Sequence, residues 1–399
     1  MPGGRGREND LLRALGVVDE TGALLTAGAV LLAAEGTRVT YQYKDTPGGE
    51  PRQVERLTAP LLVAFDQVMA LVAAHRRLTP LTLPSGQQLQ VEDFPELAVR
   101  EAISNALIHR DLRRDEPIVV EHSPQVLVIS SPGPLVAGVT PDNILTTTSK
   151  PRNPALARAS RTLELAEEVG RGVDRMYREM VRSGRQVPEI IDTGDSVRVA
   201  LTGGAPNLDL ARFVAEQPEA LRDDTDAMLV LVRLMGQRTL TAQTVAPLLQ
   251  KGAAETEASL RHLATDEAGL LEPTRETARR TNPSYRLRGD VIRALGTAVP
   301  YARHSSDEIE RRVVAHMREY GRITNSTVQN LFNVRVQRAN QILRDLRDRQ
   351  LIIRTSEATR GPSVDYGKGP RFPEKSPRTK RSAQPALDEH PHLDFEDGS

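Results

Sequence analysis

The chain has 399 residues, more than one hydrophobic core usually spans, so about two to four domains are expected. Its 53 Lys and Arg residues balance its 53 Asp and Glu residues, so net charge gives no sign of nucleic-acid binding and any basic surface must be local. Cysteine is absent, which excludes disulfides and thiolate metal sites, and no apolar run is long enough to span a bilayer. We therefore expect a cytoplasmic protein without a membrane partner.

The first part of the chain alternates between helix and strand patterns. Residues 1–37 contain two short predicted helices around a turn, which is too little for a complete domain. Residues 38–202 begin with a strand, continue with a long predicted helix over residues 57–77, and include two strands separated by Ser123 and Pro124, as in a hairpin. This alternation predicts an α+β fold, with helices over one mixed sheet in an α/β sandwich.

An acid and an amide share one side of a predicted helix in this region. In residues 95–111, PELAVREAISNALIHRD, apolar residues recur at helical spacing and mark the face directed at the core. Glu101 and Asn105 lie one turn apart on an adjacent face. An ordinary solvated face would explain such a pair on its own. Glycines further along the chain favour a binding site, because backbone amides at a helix start can hold phosphate.

The order of these motifs resembles the GHKL ATPases, the group of gyrase, MutL and histidine kinases. The motifs are Glu-x-x-x-Asn on a helix, a strand ending in Pro-Gly, and Gly-x-Gly before a helix. The chain is more closely similar to the RecG-like, Schlafen-AlbA-associated transcriptional regulators, which carry phrases like EAISNALIHRD, SSPGPLVAGVTPDNI, SKPRNPALAR and EEVGRGVDRM. The resemblance covers residues 38–202, and it implies that residues 1–37 are the remnant of an AlbA-type DNA-binding domain.

The resemblance implies ATP and Mg²⁺ as cofactors and a role for each matching residue. Glu101 matches the carboxylate that acts as general base on the attacking water, and Asn105 matches the Mg²⁺ ligand. The other residues implied to bind the nucleotide are Ser131 and Gly133 under the adenine, Lys150 and Arg152 in the intervening loop, and Gly170 and Gly172 in the phosphate flap. Ordinary surface cations are the alternative for Lys150 and Arg152.

The resemblance departs from the GHKL pattern before the first glycine loop. GHKL proteins place an aspartate there to accept the adenine amino hydrogen, whereas this chain has Ser130 and Ser131. A hydroxyl is a weaker acceptor than a carboxylate, so the serines would hold the adenine amino group less strongly than an aspartate does.

Two histidine-containing stretches are interpreted as helix ends. Residues 75–81, HRRLTPL, resemble a phosphoacceptor box, but Arg76 replaces the usual acid, so we expect a helix stopped by Pro80. Residues 109–111, HRD, lack the spacing of metal ligands and are also interpreted as a helix end.

After residue 202 the pattern changes to three helices followed by two short strands, twice. This order predicts winged helix-turn-helix modules in residues 203–300, which include linkers, and in residues 301–367. The third helix of the second module has an outward face suited to DNA, formed by Arg335, Gln337, Arg338, Asn340, Gln341 and Arg344. The first module carries acids on its third helix, so packing or dimerisation is equally expected there. Residues 368–399 are predicted to be a disordered tail.

Three hypotheses follow from the sequence. The first is a transcriptional regulator that senses ATP in a GHKL-like domain and binds double-stranded DNA through its winged helices, with a homodimer as the expected form. The second is an Mg²⁺-dependent ATPase that uses Glu101 as general base. The third is an interaction scaffold that binds no nucleotide.

Overall fold

A computed structural model describes residues 3–148, 150–165, 172–302, 306–332, 334–356 and 364–373. For residues 3–7, 302 and 306–308, only the backbone is described. The chain divides into two compact units, Met1–Arg303 and His304–Ser399. In the part of the chain that is described, no helix is long and apolar enough to cross a membrane.

The larger unit contains most of the helices and strands. Its helices are α1 (Gly3–Ala14), α2 (Thr26–Leu32), α3 (Leu61–Ala74), α4 (Glu96–His109), α5 (Pro154–Thr162), α6 (Gly172–Arg182), α7 (Leu208–Ala215), α8 (Glu219–Arg222), α9 (Thr225–Gly236), α10 (Ala242–Leu249), α11 (Ala253–Leu263) and α12 (Gly289–Leu295). Its strands are β1 (Thr37–Lys44), β2 (Pro51–Ala59), β3 (Leu78–Thr82), β4 (Gln88–Glu92), β5 (Ile118–His122), β6 (Val126–Pro132), β7 (Glu189–Asp192), β8 (Ser196–Thr202), β9 (Leu271–Pro273) and β10 (Tyr285–Leu287).

Six of these strands form one mixed sheet in the order β2-β1-β5-β6-β8-β7. Strands β1 and β5 are parallel, and the other neighbours are antiparallel. Burial alternates along β1 and β5, as expected when one face of a sheet carries the core. Helix α3 packs on β1 and β2, and α4 packs on β6. The predicted α+β fold with helices over a mixed sheet is therefore confirmed.

The long helix predicted over residues 57–77 is wrong at both ends. Residues 57–59 complete β2, whose pairing with β1 extends to Ala59, and α3 begins only after Pro60. The helix ends at Ala74, so Pro80 does not stop it; Pro80 lies within β3, which pairs only with β4 in a separate hairpin. Proline is tolerated there because a two-stranded hairpin consists of edge strands.

The segment predicted as a linker, residues 203–207, is packed against the sheet. The backbone amides of Gly203 and Gly204 donate to the carbonyls of Gln125 and Pro124 in the β5–β6 turn. A side chain at Gly203 would approach the Phe94 ring to 2.6 Å. One hydrophobic core then continues from the sheet domain through α9–α11 to α12. The first three-helix module is therefore part of the larger unit.

The N-terminal helices also pack on this core. Leu15, Val17 and Leu31 are buried in it, and α2 contacts α3 and α5. That this segment is the remnant of an AlbA-type domain stays a prediction.

The smaller unit has its own core. Its elements are α13 (Ser306–Tyr320), β11 (Ile323–Thr324), α14 (Asn325–Phe332), α15 (Val336–Asp348), β12 (Ile352–Arg354) and β13 (Asp365–Lys368). The three strands form an antiparallel sheet in the order β11-β13-β12. Phe372 is buried in this core, so the ordered chain continues past residue 368, where the tail was predicted to begin.

Candidate functional site

A cavity of about 200 Å³ lies beside α4, between the end of β6 and the start of α6. It brings together residues that are far apart in the sequence. The predicted nucleotide-site residues that line it are Glu101, Asn105, Ser131, Gly133, Lys150, Arg152 and Gly172. Gly170, the remaining predicted residue, lies outside the described residues.

The acid and the amide on α4 meet the first residue of α6. Glu101 is buried, with only 6% of its surface exposed, and its Oε1 atom lies 3.6 Å from Nη1 of Arg175. A Cβ atom on Gly172 would lie 2.4 Å from Oε2 of Glu101 and 3.9 Å from Nδ2 of Asn105. A side chain at this position would displace the carboxylate of Glu101. The start of α6 therefore closes over both side chains.

The chain entering the flap is also attached to α4. The Ser104 hydroxyl donates to the carbonyl of Leu165 at 2.9 Å, and the Arg100 guanidinium donates to the carbonyl of Glu164 at 2.6 Å. Residues 164–165 and Gly172 are thus both held against α4. The described residues on either side of the flap sequence therefore lie against the helix that carries Glu101 and Asn105.

At the other end of the cavity, Ser131 and Gly133 are fixed by their backbone surroundings. Gly133 has a positive φ of 96°, and a Cβ atom there would lie 2.7 Å from Cβ of Asp111, so the position requires glycine. The Ser131 hydroxyl donates its single hydrogen to the carbonyl of Ala106 at 2.9 Å. Its lone pairs remain as acceptors, which is the capacity an adenine amino group requires.

The two predicted cations differ in their surroundings. Arg152 donates to the carbonyls of His109, at 3.1 Å, and Pro134, so its guanidinium joins the end of α4 to the glycine loop. Lys150 is exposed at the rim of the cavity. Arg152 therefore shapes the cavity wall, whereas the ammonium of Lys150 lies beside Gly138, 3.4 Å from where a Cβ atom on that glycine would be.

His109 is a cavity residue that the sequence interpretation missed. It was interpreted as part of a helix end, yet its side chain lines the cavity one turn beyond Asn105. Burial, together with the nearby charge of Arg152, lowers the pKa of His109 to about 4, so the ring is neutral at neutral pH. The four-residue spacing from Asn105 is the signal that places it on the same face.

The carboxylate nearest the glycine loop belongs to Asp111. Its oxygens accept hydrogen bonds from the backbone and side chain of Arg113, which hold the pKa of Asp111 well below its usual range. Asp111 packs against Gly133 and does not line the cavity.

A divalent ion would find oxygen donors at one end of the cavity. Among the described residues there is no cluster of three or more His, Asp or Glu side chains that could hold a metal alone. The half-buried amide of Asn105 would nevertheless supply one oxygen to Mg²⁺, which takes few protein oxygens and completes its coordination with water and phosphate.

The predicted DNA-contacting residues all lie exposed on or next to α15. Asn340 is engaged within the unit, because its Oδ1 accepts a hydrogen bond from Asn325 of α14 at 2.6 Å. Arg338 donates to Gln341 at 3.2 Å along the same helix. Asn340 therefore fixes α15 against α14, and the arginines provide most of the charge on the exposed face.

In the first three-helix module, one of the acids on the third helix, α11, is packed inside the module. Glu257 is buried and accepts hydrogen bonds from the Tyr285 hydroxyl at 2.8 Å and from Arg261 at 2.9 Å.

Comparison with known proteins supports the ATPase-like part of this description. Residues 115–201 match the family model described as "Putative ATP-dependent DNA helicase recG C-terminal". The match begins after Glu101 and Asn105 and includes Ser131 and Gly133. The chain therefore contains an ATPase-like domain of the GHKL type.

A solved structure is similar over a larger part of the chain. The crystal structure of the DIP2311 protein from Corynebacterium diphtheriae is 30% identical with a TM-score of 0.64, over 72% of this chain and 59% of that one. This chain thus spans less than two thirds of the length of that protein. The comparison with curated proteins gave no match.

Proposed function

We propose that this chain is an ATP-responsive DNA-binding regulator that senses nucleotide in the ATPase-like domain and contacts DNA through its smaller unit. The observation that carries the proposal is the cavity beside α4. Residues from four separate segments, chosen from the sequence for a nucleotide site, line that one cavity.

The two ends of the cavity suit the two ends of ATP. Apolar residues and the acceptor of Ser131 surround the end near Gly133, which suits a base. Asn105 and the start of α6 surround the other end, where a triphosphate would be held. Mg²⁺ bound by Asn105 would neutralise part of the phosphate charge.

The smaller unit supports the DNA-binding part of the proposal. We assign α13–α15 and the three-stranded sheet to a winged helix, with α15 entering the major groove. Arg335, Arg338 and Arg344 are exposed on it and would contact phosphates and base edges. A homodimer would present two such helices to one duplex and is the assembly we propose.

One observation favours ATP hydrolysis as a second function. Glu101 is buried beside the cavity within contact distance of the flap, which is where a general base would meet the attacking water. Its ion pair with Arg175 would have to open or shift for the carboxylate to accept a proton.

A titration with a fluorescent ATP analogue tests the nucleotide proposal. We expect binding that strengthens with Mg²⁺ and that weakens by about tenfold or more in Asn105→Ala, because the amide ligand is lost. Asn330→Ala is the matched control, since Asn330 is exposed on α14 in the smaller unit. If the wild-type protein binds no analogue in either condition, the proposal fails and a nucleotide-free scaffold is the remaining hypothesis.

A further inference from the structure

The loop that covers the base end of the cavity is held by a residue from outside the ATPase-like domain. Residues 133–152 connect the glycine loop to α5, and Val139, Ile144 and Thr147 from this loop line the cavity. Inside the loop, the side chain of Asn143 accepts from the amide of Thr140 and donates to the carbonyl of Gly138. These bonds shape the loop but do not fix it to the rest of the protein.

Gln250 provides that attachment. Its Oε1 accepts a hydrogen bond from the backbone amide of Leu145 at 2.7 Å, and its Nε2 donates to the carbonyl of Pro141 at 2.8 Å. Its own carbonyl accepts from the hydroxyl of Thr146 at 2.9 Å. Within the described residues, these three are the hydrogen bonds that reach residues 136–148 from outside the loop. The two ends of the loop are held separately, by Asp192, which accepts from the amide of Leu135, and by the bond from Arg152 to the carbonyl of His109.

The position of Gln250 is itself fixed by the first three-helix module. Gln250 ends α10 in the left-handed conformation, with φ at 55°. The next residue, Lys251, forms an ion pair with Asp226 of α9 at 2.7 Å, and Asp226 also accepts from Ser259 of α11 at 2.6 Å. All three helices of the module therefore support the turn that holds the loop.

We propose that Gln250 is a positioning residue for nucleotide binding, through which the three-helix module holds the cavity loop over the base. This role rests on the proposed function of the cavity. Because Gln250 belongs to the three-helix module, the loop would be held over the cavity only when the module is present. Without the side chain, the loop would have to be ordered at the expense of binding free energy.

The variant Gln250→Gly separates positioning from folding. It removes both side-chain hydrogen bonds, while glycine suits the left-handed backbone better than glutamine does. We therefore expect thermal stability close to that of the wild type. Gln250→Asn is the second variant, because asparagine also tolerates this conformation but is one methylene too short for both contacts.

Gln350→Gly is the matched control. Gln350 also follows a helix in the left-handed conformation, with φ at 61°, but it lies in the smaller unit. The same substitution there relieves the same kind of backbone strain without touching the cavity loop.

Affinities for ATP and for inorganic triphosphate, each measured with Mg²⁺, provide the test. We expect ATP to bind roughly tenfold more weakly to both Gln250 variants, since two hydrogen bonds that order the loop are lost. Triphosphate lacks the base under the loop, so its affinity should be the same in all four proteins. Gln350→Gly should match the wild type for both ligands.

Equal ATP affinity in wild type and Gln250→Gly would overturn the positioning role. An equal loss for ATP and triphosphate would also overturn it, because the effect would then be general to the cavity. A wild-type protein that binds neither ligand would instead remove the proposed function itself, and the role of Gln250 with it.

Discussion

Glu101 is a buried acid whose surroundings hold it in place before any ligand arrives. Arg175, in the first turn of α6, balances the charge of Glu101. The backbone of Gly172 lies so close to the Glu101 carboxylate that a Cβ atom there would be 2.4 Å from Oε2. Burying an ionised carboxylate is costly unless it is paired. The ion pair therefore contributes to the packing of α6 on α4.

We predict that Arg175→Ala destabilises the protein by about 1–3 kcal/mol, because it leaves the buried carboxylate with fewer compensating charges. Glu101→Gln removes the charge that needs compensation, so the loss from Arg175→Ala should be smaller in that background. Urea unfolding of both single variants and the double variant measures this coupling. Strictly additive changes in the free energy of unfolding would contradict the ion pair as a stabilising contact.

Buried His122 and half-buried His109 predict a loss of stability in mild acid. Burial lowers the pKa of both His109 and His122 to about 4, with neighbouring charge as a further cause. The unfolded chain takes up these protons near pH 6.5, whereas the folded chain does not until about pH 4. Stability should therefore be fully present above about pH 6.5 and fall as the pH drops toward 4, by up to roughly 1.4 kcal/mol per pH unit for each histidine.

The variant His122→Gln isolates one of these contributions. His122 is enclosed by Tyr41, which lies 2.8 Å from its Nδ1, and by Tyr43 and Phe94. Urea unfolding at pH 7, 5.5 and 4.5 should show a shallower decline for the variant than for the wild type. The same decline in both proteins would show that His122 is protonated in the folded state as readily as in the unfolded state.

Elements with strong periodic patterns could be predicted from the sequence, and those defined by tertiary pairing could not. The pattern of α4 placed Glu101 and Asn105 one turn apart, and the structure has them so. Strand β7 was missed because it has only four residues, and β3 was missed because it contains a proline. The end of β2 was assigned to a helix because its apolar residues run directly into α3.

The same distinction applies to the candidate site. The family resemblance implied a common site for Ser131, Gly133 and Gly172, and all three line the cavity. Gln250 carries no such signal, since its contacts with residues 141–146 depend on how the first three-helix module packs. The engagement of Asn340 with Asn325 likewise depends on the angle between α14 and α15.

At the scale of α15, we predict that Arg335→Ala combined with Arg338→Ala weakens binding to duplex DNA by at least about tenfold at moderate salt. The reason is the loss of two cations that would contact phosphates, so the slope of log affinity against log salt should fall by about two. Fluorescence anisotropy across salt concentrations measures both quantities. Asn330→Ala is the control, and an unchanged salt slope in the double variant would remove α15 from the interface.

Among the described residues, two large hydrophobic cores differ in extent. The larger one runs from the N-terminal helices through the mixed sheet to α12, and the smaller one is confined to α13–α15 and their strands. A short third cluster joins the β3–β4 hairpin to α7. Because each unit buries its own apolar residues, each should unfold cooperatively by itself.

We predict two thermal transitions by calorimetry, one for each unit. Mg²⁺ and ATP should raise the midpoint of the transition of the larger unit alone, because a ligand stabilises only the state that binds it. Duplex DNA should raise the other midpoint. A shift of both transitions by ATP alone would contradict the assignment of the nucleotide to one unit.

The central claim is that Glu101 and Asn105 meet a nucleotide triphosphate in the cavity beneath the start of α6. A crystal structure of the chain with Mg²⁺ and a non-hydrolysable ATP analogue tests it most directly. The account predicts the base beside Ser131 and Gly133, and the triphosphate and Mg²⁺ between Asn105 and Gly172. Nucleotide bound at another place, or the cavity filled by its own side chains at saturating analogue, would contradict it.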